Sequence, residues 1–169
     1  MFTVRAATSG DAAGVANVHV RAWKAAYRGL LPDEYLDDLR PEDRIAHYTL
    51  GSSDADVPAT LVAVVDGVVH GFVTTGPCRD PRETDRGEVL ALHVDPGSWG
   101  LGIGRRLLSE GRAALSARGF AEAALWVLAG NSRAERFYRS DGWLPEDRRR
   151  THEVWGVMIE ESRFRRPLP

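Results

Sequence analysis

Cysteine is all but absent from this chain: Cys78 stands alone among 169 residues. A lone cysteine excludes an internal disulfide, and a free thiol fits a reducing compartment better than an oxidising one. No stretch approaches the roughly twenty consecutive apolar residues of a membrane span. The first thirty residues include Asp11 and hold no apolar core of seven or more that could act as a signal peptide. A cytoplasmic location is the expectation. An excess of one charge is also missing, since 22 Lys and Arg oppose 24 Asp and Glu for a formal net charge of −2. No overall field therefore draws the chain to nucleic acid or an anionic membrane, and a small molecule or another protein is the expected partner. The histidines, His19, His47, His70, His93 and His152, are scattered without the spacing of metal ligands, so no metal is expected. Repeats, low-complexity stretches and interior linkers are lacking, and the length suits one domain, expected at 1–161 with a short basic tail at 162–169.

What is present is a succession of short periodic segments. Phe2 to Ala6 reads as a strand, and from Asp11 to Tyr27 the residues Val15, Val18, Ala22, Ala25 and Ala26 recur near helical spacing. Pro32 to Leu39 and Pro41 to Leu50 read as short helices, each with a proline near its first turn. Ala59 to Val65 and Val68 to Thr75 are β-branched runs joined by Asp66-Gly67, a strong hairpin signal. Glu88 to Val94 makes a further strand, Gly102 to Arg118 an amphipathic helix, Ala123 to Leu128 a strand, Asn131 to Asp141 a helix, and Glu153 to Ile159 a last strand. The order implies an α/β fold: a mixed central sheet of about six to seven strands, parallel around the fourth and fifth, flanked by helices.

Between the fourth strand and the following helix lies Trp99-Gly100-Leu101-Gly102-Ile103-Gly104-Arg105-Arg106. Its backbone N–H groups can converge at a helix N-terminus, where a phosphate is favoured, and glycine lets the main chain approach a ligand closely. Arg105 and Arg106 either add charge to that site or form the solvated face of the helix. The turn lacks the Gly-Lys-Ser/Thr of a Walker loop, and it does not follow an early strand with an acidic residue about twenty positions on, as a dinucleotide fold requires.

With Val94-Asp95-Pro96 before it, this turn resembles the phosphate turn of the GNAT superfamily of N-acetyltransferases. A second block of that family is similar to Asn131, Ala134, Phe137-Tyr138 and Gly142-Trp143 here. The resemblance is strongest over Glu88 to Trp143 and extends in outline over nearly the whole chain. Trp99 departs from it, standing where the family usually has glutamine or arginine. The resemblance implies acetyl-CoA as acyl donor, bound by Leu92, His93 and Val94, by the turn from Trp99 through Gly100, Leu101, Gly102, Ile103 and Gly104 to Arg105, and by Asn131 and Tyr138. It implies an N-acetyltransferase acting by direct attack of an amine, from a small molecule or peptide. An acetyl-CoA sensor without turnover is the alternative, and pairing through the terminal strands into a homodimer is a further implication.

An ammonium of pKa about 10.4 is neutral in only about one molecule in 2,500 at pH 7, so the reaction needs a base. The resemblance points to Glu88 for that role, to a Leu92 backbone N–H as donor to the thioester oxygen, to Val94 pairing the pantetheine arm, and to Tyr138 as proton donor to the departing thiolate. Tyr138 also reads as a core aromatic, and Asn131 as a helix start, with Ser132 and Glu135 forming a capping box. Strict alternation puts His93 on the sheet face opposite Glu88. Trp23 and Tyr27, in the first helical region, are candidate substrate-binding residues, and Asp33, Glu34, Asp37 and Asp38 would make an acidic roof over them. Cys78 reads as an incidental thiol, and Arg148-Arg149-Arg150 with the terminal arginines as solvated charge.

Overall fold

Asp66 and Gly67 take positive φ, 48° and 79°, and fold strand β2 (Ala59–Val65) back on β3 (Val68–Pro77) as an Asp-Gly turn does. The computed structural model describes residues 1–169. Its remaining strands are β1 (Thr3–Ala6), β4 (Gly87–Val94), β5 (Glu122–Leu128), β6 (Leu144–Val154) and β7 (Val157–Pro167). All seven join one sheet in the order β1-β2-β3-β4-β5-β7-β6. Every pairing is antiparallel except β4 with β5, the parallel pair expected from the sequence.

Helices cover both faces because the sheet is apolar on both. Helix α1 (Ala12–Ala26) buries Val15, Val18 and Ala22, with Val15 and Val18 packed beside Val62 and Phe72. Helix α2 (Asp33–Asp37) follows it. On the other face, α3 (Ile103–Ala117) buries Ile103, Leu107, Leu108 and Leu115 against Val73, Val89 and Leu125. Each such leucine contributes roughly 1.5–3 kcal/mol relative to exposure. Gly111 lets α3 lie close to β3, since a Cβ there would meet side-chain carbons of Val73 and Thr75 at 3.2 Å. Helix α4 (Ser132–Ser140) packs Phe137 and Tyr138 on the same core. No helix is long and apolar enough to cross a membrane.

Three expectations are corrected. Pro41 to Leu50 is not a helix but two 3₁₀ turns, Pro41–Asp43 and Ile45–His47. Neither turn buries a residue, so nothing offsets the cost of nucleating a longer helix. The stretch Glu153 to Ile159 is not one strand but the tip of the β6–β7 hairpin, which turns at Trp155 and Gly156 with φ of 52° and 79°. Residues 162–169 are not a tail: Ser162 to Pro167 complete β7, which lies between β5 and β6. Phe164 and Arg163 there are each 1% exposed, the guanidinium paired with Glu83 at 2.5 Å and Glu146 at 3.3 Å. The charged residues of β6 alternate between half-buried and exposed, the habit of an edge strand that resists pairing with other chains.

The entry to α1 is tied by Asp11. Its carboxylate accepts from Arg5 Nη1 at 2.8 Å and Nη2 at 3.0 Å and from the Thr8 backbone N–H at 2.8 Å. These bonds, the Arg5 guanidinium foremost, lower its pKa to about 2. A depressed carboxylate stabilises the fold above its ordinary pKa and loses that contribution as pH falls through the lowered value. Asp11→Asn is expected to cost about 1–2 kcal/mol at pH 7, and urea titrations should show the deficit vanishing between about pH 4 and pH 2.

Candidate active site

Strands β4 and β5 pair only at Gly87 with Ala123 and Glu88 with Ala124; beyond that they part. A β-bulge accompanies the separation. Thr74 lies opposite Ala91 while its neighbour Thr75 lies opposite Val89, so Leu90 is the extra residue on β4. A cavity of about 630 Å³ occupies the gap. On the α3 and α4 face its wall is formed by Gly100, Gly102, Gly104, Asn131 and Tyr138, and on the α1 face by His19, Trp23, Tyr27, Trp126 and Trp155. The cavity therefore runs through the sheet.

The gap exposes main chain as well as side chains. The Asp95 N–H donates to the His70 carbonyl of β3 at 2.8 Å. In an antiparallel ladder such bonds recur at every second residue, so the N–H groups of Leu92 and Val94 turn away from β3 towards the gap. The Val94 carbonyl, on the same side, accepts from the Trp99 indole N–H at 2.9 Å. Trp99 in turn lies beneath the Arg133 guanidinium, 3.5 Å from its ring centroid, and both residues line the cavity.

Gly100 and Gly102 take φ of 82° and 84°, and space is open within 4 Å of where a Cβ would stand on either. Their hydrogen side chains thus supply a left-handed backbone and an unobstructed approach. Gly102 caps α3 with no side-chain hydrogen bond, which leaves the first-turn N–H groups of Ile103, Gly104 and Arg105 directed outward, a natural anion cradle. Arg105 lines the cavity, whereas Arg106 pairs with Glu110 at 2.9 Å in solvent. Leu101 is 66% exposed and lies outside the cavity wall.

Asn131 caps α4, its side-chain oxygen accepting from the Ala134 N–H at 3.1 Å, so the capping box expected at Ser132 does not form. The residue also borders the cavity. Two turns on, Tyr138 is half-buried against Phe137 and Trp143, with ring centroids at 5.3 and 6.3 Å. Burial, reinforced by the nearby Asp141 carboxylate, pushes the phenol pKa well above its ordinary value, so Tyr138 is a protonated donor at neutral pH. Tyr27 is raised in the same way by burial and by Tyr138 and Glu161.

Glu88 lies elsewhere than expected. It is 2% exposed, and its carboxylate accepts from the Arg79 backbone N–H at 3.1 Å and Arg79 Nη2 at 3.0 Å. It lines a second, arginine-rich concavity of about 330 Å³ and not the through-sheet cavity. His93 is also corrected: the extra residue at Leu90 shifts the alternation, so His93 packs on His19 and Phe72 on the same face as Glu88. Burial lowers the His93 pKa to about 4, leaving it neutral at pH 7. Burial, His93 and Arg44 also lower His19. The acidic roof is partly spent, because Asp33 and Asp37 pair with Arg28 at 3.3 and 3.0 Å and no α2 carboxylate borders the cavity. Cys78 is buried and its thiol pKa raised by that burial, which makes it unreactive.

Several wall residues had no sequence signal. Trp155, at the hairpin tip, stacks on Trp23 at 4.3 Å with the Arg44 guanidinium 3.6 Å from its ring centroid, and Tyr35 Oη donates to its carbonyl at 2.7 Å. His152 and Arg150 of β6 meet Glu161 of β7 at 2.6 and 2.8 Å. Only the cross-strand pairing of β6 with β7 brings these residues together.

The family model of the acetyltransferase (GNAT) family matches residues 9–143, which include the glycine turn and α4. An uncharacterized N-acetyltransferase of Bacillus subtilis, YuaI, is 32% identical over 95% of this chain and 90% of its own. PaiA N-acetyltransferase from Thermoplasma acidophilum, solved with coenzyme A, superimposes with a TM-score of 0.71 at 23% identity, covering 95% of this chain and 98% of that one. YncA of Salmonella typhimurium, solved with acetyl-CoA, gives 0.74 at 21% identity, covering 100% and 95%. A glycine turn at a helix N-terminus, a strand pair opened by a bulge and a tyrosine beside the opening thus occur in a chain matched over most of its length: it belongs to the GNAT family of acetyltransferases.

Proposed function

We propose that this protein transfers the acetyl group of acetyl-CoA to an amine by direct attack. The observation that carries the reading is the cavity running through the sheet, with the phosphate-suited turn at one face, an aromatic chamber at the other, and Tyr138 on its wall. The wall fits the donor: first-turn N–H groups of α3 hold its pyrophosphate, and the outward N–H of Val94 pairs its pantetheine amides as an added strand would. Acetyl-CoA supplies an activated thioester. The Leu92 N–H stabilises negative charge developing on the thioester oxygen, and Tyr138 delivers a proton to the departing sulfur.

For the base, His152 and Glu161 are better placed than Glu88, since both line the cavity on the acceptor face. His152 Nε2 and Glu161 Oε1 lie 2.6 Å apart, so the carboxylate orients the imidazole. His152→Ala is expected to lower kcat about 10²-fold near pH 7, while Glu88→Gln, compared in the same pH profile, changes it only severalfold. The reading itself is tested by thiol release from acetyl-CoA across a panel of amines, with mass spectrometry of the acetylated product. Acetyl transfer to any amine supports it. Acetyl-CoA binding without transfer to any of them favours a sensor.

A further inference from the structure

Beside the acceptor end of the cavity lies the second concavity, and Arg79, Trp126 and Arg150 line both. Of its other arginines, Arg149 gives Glu160 one bond at 3.4 Å and stands outside the through-sheet cavity, and three are each tied to carboxylates of the fold. Arg82 makes two side-chain bonds to Asp80, Arg148 spans Asp80 and Glu83, and Arg163 spans Glu83 and Glu146. Arg79 and Arg150 differ in facing both concavities. Arg79 gives Glu88 a single side-chain bond, from Nη2 at 3.0 Å, and Arg150 gives Glu161 a single bond, from Nε at 2.8 Å. The remaining donors of both guanidinium groups have no partner in the chain. The Arg150 guanidinium also lies over Trp126, 4.2 Å from the ring centroid. Its side chain is 31% exposed and that of Arg79 61% exposed, so both are reachable. Two guanidinium groups with spare donors, one lying over an aromatic ring, suit a planar or tetrahedral oxyanion. A polycation gains little on this wall, because Glu88 and Glu161 each already hold an arginine.

We infer that the acceptor is an amine that also carries a carboxylate or a phosphate-type group, and that Arg79 and Arg150 hold this anion at the mouth shared by the two cavities. The inference rests on the acetyl transfer proposed above and names its substrate class. Such an amine places its nitrogen in the through-sheet cavity and its anion against Trp126.

The test is calorimetric titration of the CoA-loaded protein with amino acids, their carboxamides, aminoalkyl phosphonates and spermidine, paired with thiol-release kinetics on the same panel. Carboxylates or phosphonates are expected to bind at least about tenfold more tightly than the matching amides, as charge-assisted bonds imply. Which of the two anions binds better identifies its source. Arg150→Gln and Arg79→Gln, checked for folding by their CoA affinity, should bring the acid-to-amide ratio towards unity. A mere loss of Glu161 orientation lowers both members of each pair and leaves the ratio intact. Amides or spermidine binding as well as the acids, or no panel member binding at all, would overturn the inference. Discrimination in binding with no thiol release upholds the anion site and counts against the acetyl-transfer reading instead.

Discussion

Replacing Tyr138 by phenylalanine is expected to lower kcat for thiol release by about 10²- to 10³-fold, while the dissociation constant for acetyl-CoA changes by less than about threefold. The phenyl ring retains the packing on Phe137 and Trp143, and the hydroxyl makes no hydrogen bond within the chain that folding depends on. In the proposed mechanism only proton delivery to the thiolate is removed. Burial raises the phenol, but it raises a thiolate held beside it for the same reason, so the transfer between them is not opposed by the site. Because the shift is upward, Tyr138 keeps its proton throughout the alkaline range, and its ionisation should cause no decline in kcat up to about pH 10. Stopped-flow thiol release with parallel calorimetry separates the two quantities. An equal loss of affinity and turnover would show that Tyr138 holds the donor instead of protonating it.

Gly102→Val is expected to weaken acetyl-CoA binding at least about tenfold and to lower Tm by about 2–8 °C. The backbone at Gly102 has φ of 84°, where a β-branched residue is strained by roughly 1–2 kcal/mol, and its Cβ would stand over the open N-terminus of α3. Gly119 provides the control. It has φ of 93° with open space around it and terminates the same helix at the far end. Gly119→Val should cost comparable stability, read by thermal unfolding, and leave acetyl-CoA affinity unchanged. Matching losses of affinity in both variants would mean that helix stability, and not the anion cradle, sets donor binding.

What was legible in the sequence is local. The glycine turn, the Asp66-Gly67 hairpin and the α4 block each declare themselves within a dozen residues, because turn conformation and helical spacing are short-range properties. The bulge was not legible. Glu88 to Val94 is a run with too few polar positions to show where alternation slips, so one extra residue at Leu90 moved His93 to the face of Glu88 unannounced. Nor was the β6–β7 hairpin, whose outer strand carries Arg148, Arg149 and Arg150 and reads as solvated charge. Its partners lie across the sheet: Arg150 opposite Glu161 and His152 opposite Ile159. The acceptor wall depends on that register and on Trp155 at the tip, and neither spacing nor composition encodes a contact between Trp155 and Trp23.

The role of Glu88 shows the same limit in reverse. Its position at the start of β4 is local information and was read correctly, but its partner is Arg79, nine residues earlier across a loop. That pairing turns the carboxylate into the wall of the arginine-rich concavity, where it fixes Arg79 at the border with the through-sheet cavity.

The opening between β4 and β5 is expected to hold acetyl-CoA, and calorimetric titration of the purified protein with acetyl-CoA tests this most directly. One molecule per chain is predicted, with a dissociation constant between about 1 μM and 1 mM, and with the affinity lost in Gly102→Val but kept in Gly119→Val. Absence of binding at millimolar acetyl-CoA by the folded protein would contradict the account.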